Sequence, residues 1–219
     1  MRTKNPEQIR IGITGGIGSG KSYVARLLSD YWHVPVYDCD TEAKRLTSES
    51  KQIRQQLTEL VGKELWHDGQ MRKDILADYL FASSVHAAQV NAIIHPVVRE
   101  DFLCWADALD CPVVAIESAI LYESGFYTMV DHVILVEASQ NVRLERAMAR
   151  DGASKSQVER RMAQQQISLA ADSATFIIRN DTAGDENLLE QLREVMTILL
   201  MLKEKEPDVR NNLNKTDIQ

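Results

Sequence analysis

Ile9-Arg10-Ile11-Gly12-Ile13-Thr14-Gly15-Gly16-Ile17-Gly18-Ser19-Gly20-Lys21-Ser22 is the stretch on which the fold turns. Ile9 to Thr14 is a short run rich in β-branched residues that ends in a glycine cluster, and Tyr23 to Trp32 then carries apolar residues at helical spacing. The order is strand, loop, helix. Gly15 to Ser22 fits GxxxxGK[ST] in the context that the pattern requires. Glycines let the backbone curl until successive N–H groups point inward, and the helix adds its positive N-terminal end, so the loop can hold a chain of phosphates. Lys21 would neutralise β and γ oxygens, and it is expected to face solvent while the loop is empty; the Ser22 hydroxyl would bind Mg²⁺. The plainer alternative is a glycine-rich turn with a surface lysine.

Working outward, further short apolar runs at Val34–Tyr37, Val113–Ile116, Val133–Val136 and Phe176–Ile178 read as buried strands separated by helical stretches. That alternation implies an α/β fold, a parallel sheet of five strands covered on both faces with the Ile9 strand central. No convincing strand falls between Asp40 and Asp110, so 41–110 reads as an inserted helical subdomain. Gln140 to Ser173 is rich in Arg and Gln, contains the breaker Asp151-Gly152, and reads as a lid. The core would then be 9–40, 111–139 and 174–202, one domain over 9–202, with Lys203 to Gln219 a polar tail.

The chain has 219 residues, enough to bury a core without disulfides or metal. Its hydrophobic (44%) and charged (26%) fractions exclude wholesale disorder. A net charge of -7 argues against a broad nucleic-acid or anionic-membrane surface while leaving room for a local basic pocket. Three cysteines without metal-ligand spacing suggest reduced thiols in the cytoplasm, and neither a signal peptide nor a membrane span is expected.

A phosphate loop identifies a cradle, not a reaction. Asp181-Thr182-Ala183-Gly184 and Asn214-Lys215-Thr216-Asp217 imitate GTPase motifs, yet one helix and a polar tail separate them and no strand can present Asn214. Val36-Tyr37-Asp38-Cys39-Asp40 places two carboxylates at the carboxyl end of a strand, where open α/β sheets bind ligands. An Asp there can take a proton from an acceptor hydroxyl or help hold metal; helix N-capping is the alternative for either residue. Glu117 at the end of its strand is a candidate for hydrated magnesium or a simple strand-end carboxylate. Arg143, Arg146 and Arg150 recur at helical spacing, with Arg160 and Arg161 beyond. They form either a solvated face or the mobile arginines that phosphoryl transfer needs. His95 precedes Pro96, a restricted position, and is structural or acceptor-contacting. Trp32, Trp66 and Trp105 fall in helical stretches and read as core.

Thr14–Ser22, Asp38-Cys39-Asp40 with Ala43-Lys44, His95-Pro96, Ile120-Leu121-Tyr122-Glu123, Arg150-Asp151 and Ile178-Arg179-Asn180-Asp181 together resemble the ordered signature of the dephospho-coenzyme A kinases. The resemblance implies a P-loop kinase with a helical CoA-binding subdomain and a lid, which phosphorylates the ribose 3′-hydroxyl of dephospho-CoA with ATP and Mg²⁺. It implies Asp40 as general base, Lys21 as phosphate lysine and Arg150 as the lid arginine reaching ATP. ATP would be held by Gly15, Gly16, Gly18, Ser19, Gly20, Lys21, Ser22, Tyr23, Arg146 and Asn180, and metal by Ser22 and Glu117. The acceptor would meet Asp38, Lys44, His95, Glu123 and Arg161. Ala119 stands where the family has proline, Thr182 where it has glycine, and Tyr23 where threonine is commoner, its N–H still able to serve the α-phosphate. A nucleoside monophosphate or shikimate-type kinase is the runner-up, and a nucleotide-regulated switch comes behind it. Oligomeric state is not legible.

Overall fold

The computed structural model describes residues 8–165, 175–182 and 184–205. The expected phosphate strand forms β1 (Ile9–Gly15), followed by α1 (Lys21–Trp32) and β2 (Val36–Asp38). β2 starts later than the Val34 expected. Val34 N–H donates to the Leu28 carbonyl behind the end of α1, while the Pro35 carbonyl accepts from Ala115 at 2.9 Å. Next come α2 (Cys39–Glu49), α3 (Lys51–Val61), a hairpin of β3 (Trp66–His67) and β4 (Gln70–Met71), α4 (Lys73–Ala82) and α5 (Ser84–Asp107). The remaining elements are β5 (Val113–Glu117), β6 (His132–Glu137), α6 (Gln140–Asp151), α7 (Lys155–Gln164), β7 (Thr175–Arg179) and α8 (Glu186–Lys205).

Five strands pair in parallel in the order β2-β5-β1-β6-β7, with β1 central. β5 is buried along its whole length and alternates faces. Val113 and Ala115 join Ile11, Ile13, Ile134 and Ile178 in a core beneath α1 and α8. Val114 and Ile116 face the other way, into a core with Tyr37, Leu57, Phe102 and Leu121. The strand period of two thus feeds two hydrophobic layers, as a doubly covered sheet requires. A small third cluster, Leu144, Ala147 and Val158, joins α6 to α7 and packs on Ile17 of the loop.

Three details differ from the sequence reading. Residues between β2 and β5 are not wholly helical, because β3 and β4 pair around Asp68 and Gly69, both at positive φ (46° and 80°). An Asp-Gly pair is what a two-residue hairpin turn demands, but the flanking strands are too short to show a period. Trp66 therefore lies on a strand, not a helix, with the Arg54 guanidinium 4.5 Å above its ring. α8 continues through Lys205, past the start of the expected tail and close to Pro207, the first residue that breaks a helix. The rest of that tail, Asn214–Asp217 included, lies outside the described residues, as does 166–173 of the expected lid.

Two polar ties fix the layers around the site. Arg10, 3% exposed in mid-sheet, donates to Asp107 of α5 at 2.5 Å. Asp101 of α5 accepts both from Tyr37 Oη at 2.7 Å and from Arg45 Nη2 at 2.8 Å, which holds α2 against α5 and β2.

Candidate active site

At the end of β1 the chain turns through Gly18 (φ 77°) and Gly20 (φ 93°), conformations that other L-residues rarely adopt. A Cβ on Gly18 would also fall 2.1 Å from the Arg143 carbonyl oxygen. The turn closes with Ser19 N–H on the Gly16 carbonyl, after which α1 starts at Lys21. The first N–H groups of the helix have no partner within it and point at the space over the loop. Tyr23 N–H is not one of the free groups, since it donates to the Gly20 carbonyl at 3.0 Å; its hydroxyl bonds Asp185.

Glu117, 8% exposed at the end of β5, faces the loop from the neighbouring strand. Its Oε1 accepts from Ser22 Oγ at 2.7 Å and lies 3.6 Å from Lys21 Nζ. Lys21 is therefore not solvent-facing as expected. Its side chain is only 14% exposed, folded back onto the Glu117 carboxylate.

Asp38 pairs with Glu117 across β2 and β5 and caps α2, accepting from the N–H groups of Asp40 (3.0 Å) and Thr41 (3.2 Å) and from Thr41 Oγ1 (2.8 Å). In this structure Asp38 does capping work, while Asp40 stands exposed in the first turn of α2 with exposed Lys44 one turn on along the same face. Between Asp38 and Asp40, burial pushes the Cys39 thiol well above its ordinary range.

From the other side, α6 delivers arginines. Arg146 donates to Asn180 O at 2.8 Å and Oδ1 at 3.3 Å, and Asn180 Nδ2 in turn donates to Ser19 O at 2.8 Å. This relay braces the loop against β7 and borders a cavity of about 310 Å³ lined by Gly20, Tyr23, Arg146, Asn180, Thr182 and Asp185. Arg143 lies nearer still: Nε donates to Ile17 O at 2.9 Å, and a Cβ on Gly16 would fall 2.2 Å from Nη2. Burial holds this guanidinium below its ordinary value. Arg150 is not brought to the loop. It pairs with Asp151 at 2.7 Å, and Arg161 reaches the same carboxylate at 2.7 Å, which lowers Asp151 to about 2.

His95 and Glu123 meet across a separate cavity of about 410 Å³ that Asn91, Ala92, Arg99 and Ser124 also line. Pro96 sits inside α5 and supplies no N–H to the Ala92 carbonyl one turn earlier, so His95 is helical despite the proline after it. Burial, then the Arg99 charge, holds His95 below its ordinary value. Arg99 itself donates to Gly125 O and Thr128 Oγ1, both at 2.9 Å.

The structure thus gathers the loop, Glu117, Arg146 and Asn180 in one place and His95 with Glu123 in another, with Arg150 and Arg161 together at a third. Arg99 and Gln165 border these places although the sequence reading assigned them no role, and so does Arg143, which that reading named only among the arginines at helical spacing. Arg143 and Arg99 carry a retrospective signal, lying three residues before Arg146 and four after His95 on the same helix faces. Gln165 carries none.

A parallel sheet with a phosphate loop on its central strand, a buried acid beside the loop lysine and serine, and arginines converging from the far side define a P-loop phosphotransferase. A solved structure of protein TT1252 from Thermus thermophilus matches with a TM-score of 0.74 and 31% identity, over 88% of this chain and 98% of that one. A dephospho-CoA kinase structure from Campylobacter jejuni shares the fold, with a TM-score of 0.61 at 20% identity over 87% and 97% of the two chains. A dephospho-CoA kinase of Bacteroides fragilis is 46% identical over 193 residues, 87% of this chain and 93% of its own. Residues 9–186 match the dephospho-CoA kinase (CoaE) family, and the chain belongs to it.

Proposed function

We propose that the protein transfers the γ-phosphoryl group of ATP to the ribose 3′-hydroxyl of dephospho-CoA, giving coenzyme A and ADP. The observation that carries this reading is the loop with Lys21 and Ser22 converging on buried Glu117, one strand away from Asp38 and Asp40, in a chain of this family. Membership in that family displaces the nucleoside monophosphate kinase and switch alternatives.

Lys21 leaves Glu117 for the β and γ oxygens as the phosphates enter, and it offsets the charge that develops on the leaving ADP. Ser22 and Glu117 suit Mg²⁺. A hydroxyl and a carboxylate are the hard oxygen donors this ion takes, and it completes its shell with water and phosphate oxygens. Among the described residues no group of three or more His, Cys, Asp or Glu could hold a metal. When bound, the ion would supply charge neutralisation for the transferring phosphoryl group. Asp40 takes the 3′-hydroxyl proton as oxygen attacks phosphorus, while Asp38 fixes the helix turn that presents it. Lys44, His95, Glu123 and Arg161 contact the acceptor, and 41–110 is its subdomain. Segment 140–173 is the lid, and Arg150 exchanges Asp151 for the transferring phosphoryl group.

No helix among the described residues is long and apolar enough to cross a membrane. We place the enzyme in the cytoplasm, where three thiols stay reduced and both substrates are small and diffusible. The reading is tested by ADP release with dephospho-CoA against nucleoside monophosphates and sugar acids, with the product's phosphate position fixed by ³¹P–¹H correlation. Turnover confined to the other acceptors would overturn it.

A further inference from the structure

Two hydrogen bonds run from Gln165, at the end of α7, into the site. Ile17 N–H, in the middle of the phosphate loop, donates to Gln165 Oε1 at 2.7 Å. The same side chain donates through Nε2 to the Ala119 carbonyl at 3.3 Å. Gln165 thus bridges the loop to the chain just past Glu117 at the end of β5. In a phosphate loop the backbone N–H groups are the anion donors. An amide oxygen 2.7 Å from one of them does for that donor what a phosphate oxygen does.

The position along the loop says which phosphate. The cavity lined by Gly20, Tyr23, Arg146, Asn180 and Thr182 lies toward β7 and suits the base end of the nucleotide. Ile17 and Ala119 lie toward β5, on the side of Glu117 and the β2 carboxylates, where the terminal phosphoryl group must be to meet an acceptor. Ile17 is also gripped from behind, since Arg143 holds its carbonyl at 2.9 Å. Its N–H is therefore fixed in direction, and only the partner in front of it can change.

We infer that Gln165 occupies the terminal-phosphate subsite as an internal stand-in, which ATP displaces through its γ-phosphate oxygens. The inference rests on the loop being the ATP site, as proposed above. Displacement releases both ends of the amide bridge at once, so filling the subsite unties α7 from β5. ADP, which lacks the γ-phosphate, leaves the bridge intact. Gln165 is thus a positioning residue that distinguishes the triphosphate from the diphosphate.

The sign of the effect separates this role from a structural one. Removing an internal competitor tightens the ligand, whereas damaging a binding loop weakens it. Gln165→Ala and Gln165→Met are each expected to bind a non-hydrolysable ATP analogue about three- to tenfold more tightly than wild type, the worth of one net hydrogen bond. ADP affinity should stay within about twofold. Gln165→Glu should weaken the analogue by more than about tenfold, because a carboxylate grips the N–H harder and repels phosphate. Titration calorimetry with Mg²⁺ present reads all three. In wild-type protein the Gln165 side-chain amide resonance should move in step with that of the Ile17 amide as the analogue is added, and should not move with ADP. Equal or weaker analogue binding by both neutral variants, or a Gln165 resonance that ignores the analogue, overturns the inference. Wild-type ATP binding and turnover with dephospho-CoA, measured alongside, report separately on the parent reading.

Discussion

Lys21 and Asp40 separate two contributions to one reaction. Lys21 rests on Glu117 at 3.6 Å with both side chains mostly buried, and without the lysine Glu117 still accepts from Ser22 Oγ at 2.7 Å. Lys21→Ala is therefore expected to lower kcat by about 10²- to 10³-fold while thermal unfolding moves by no more than a few degrees. An equal collapse of stability would make Lys21 a structural residue. Asp40→Asn keeps the shape of the helix turn, whose cap belongs to Asp38, and loses only the proton acceptor. Calorimetric affinities for ATP and dephospho-CoA should hold while turnover falls by about 10²-fold or more; a loss below about tenfold would pass the role of base to another group. At this scale the sequence was most legible where function needs a fixed spacing, as in the loop with Glu117 on the strand beside it. It was least legible for side chains that arrive from far along the chain. Nothing local to Gln165 announces that it ends at Ile17, and the arginine nearest the loop is Arg143 rather than Arg150 because the start of α6, not its end, packs on Gly18.

Helices α6 and α7 meet at a corner closed by Asp151, which receives both Arg150 and Arg161. With Asp151 lowered to about 2, that carboxylate stays charged wherever an enzyme works, so acidification does not free Arg150 for ATP. Nucleotide must win it by offering more negative charge. Hydrogen exchange across α6, 140–151, is expected to slow on adding a non-hydrolysable ATP analogue, and Arg150→Ala should abolish most turnover with a small change in Tm. Unchanged protection together with near-normal kinetics would leave α6 and α7 a static pair with surface arginines. Element order was readable because the strand runs are apolar and the helices between them carry periods over many residues, although β7, expected to be buried, lies at the sheet edge and leaves Ile177 51% exposed. The hairpin of β3 and β4 escaped, since two-residue strands have no period to read; its Asp68-Gly69 turn was the only trace.

Across the whole molecule, the cavity at His95 makes stability depend on pH. Burial and the nearby Arg99 hold the folded-state value below the ordinary 6.5. As pH falls from 6.5 through the lowered value, the unfolded chain takes a proton that the folded protein refuses, so stability declines; above 6.5 there is no such loss. Urea unfolding at pH 7.5 and 5.5 should show wild type losing more stability than His95→Gln over that interval. Parallel loss in both proteins would show that His95 titrates like a free histidine.

The strand order β2-β5-β1-β6-β7 also sets the sequence of events during biosynthesis. β1 and β2 are made first, yet they never touch: the slot between them is filled by β5, after α2 to α5 have been translated. A nascent chain that stops short of Val113 therefore holds two strands with nothing to join them and exposes the apolar sides of both. More than half of the polypeptide must leave the ribosome before the sheet can close on that side, and until then the growing chain carries exposed apolar surface of the kind that aggregates.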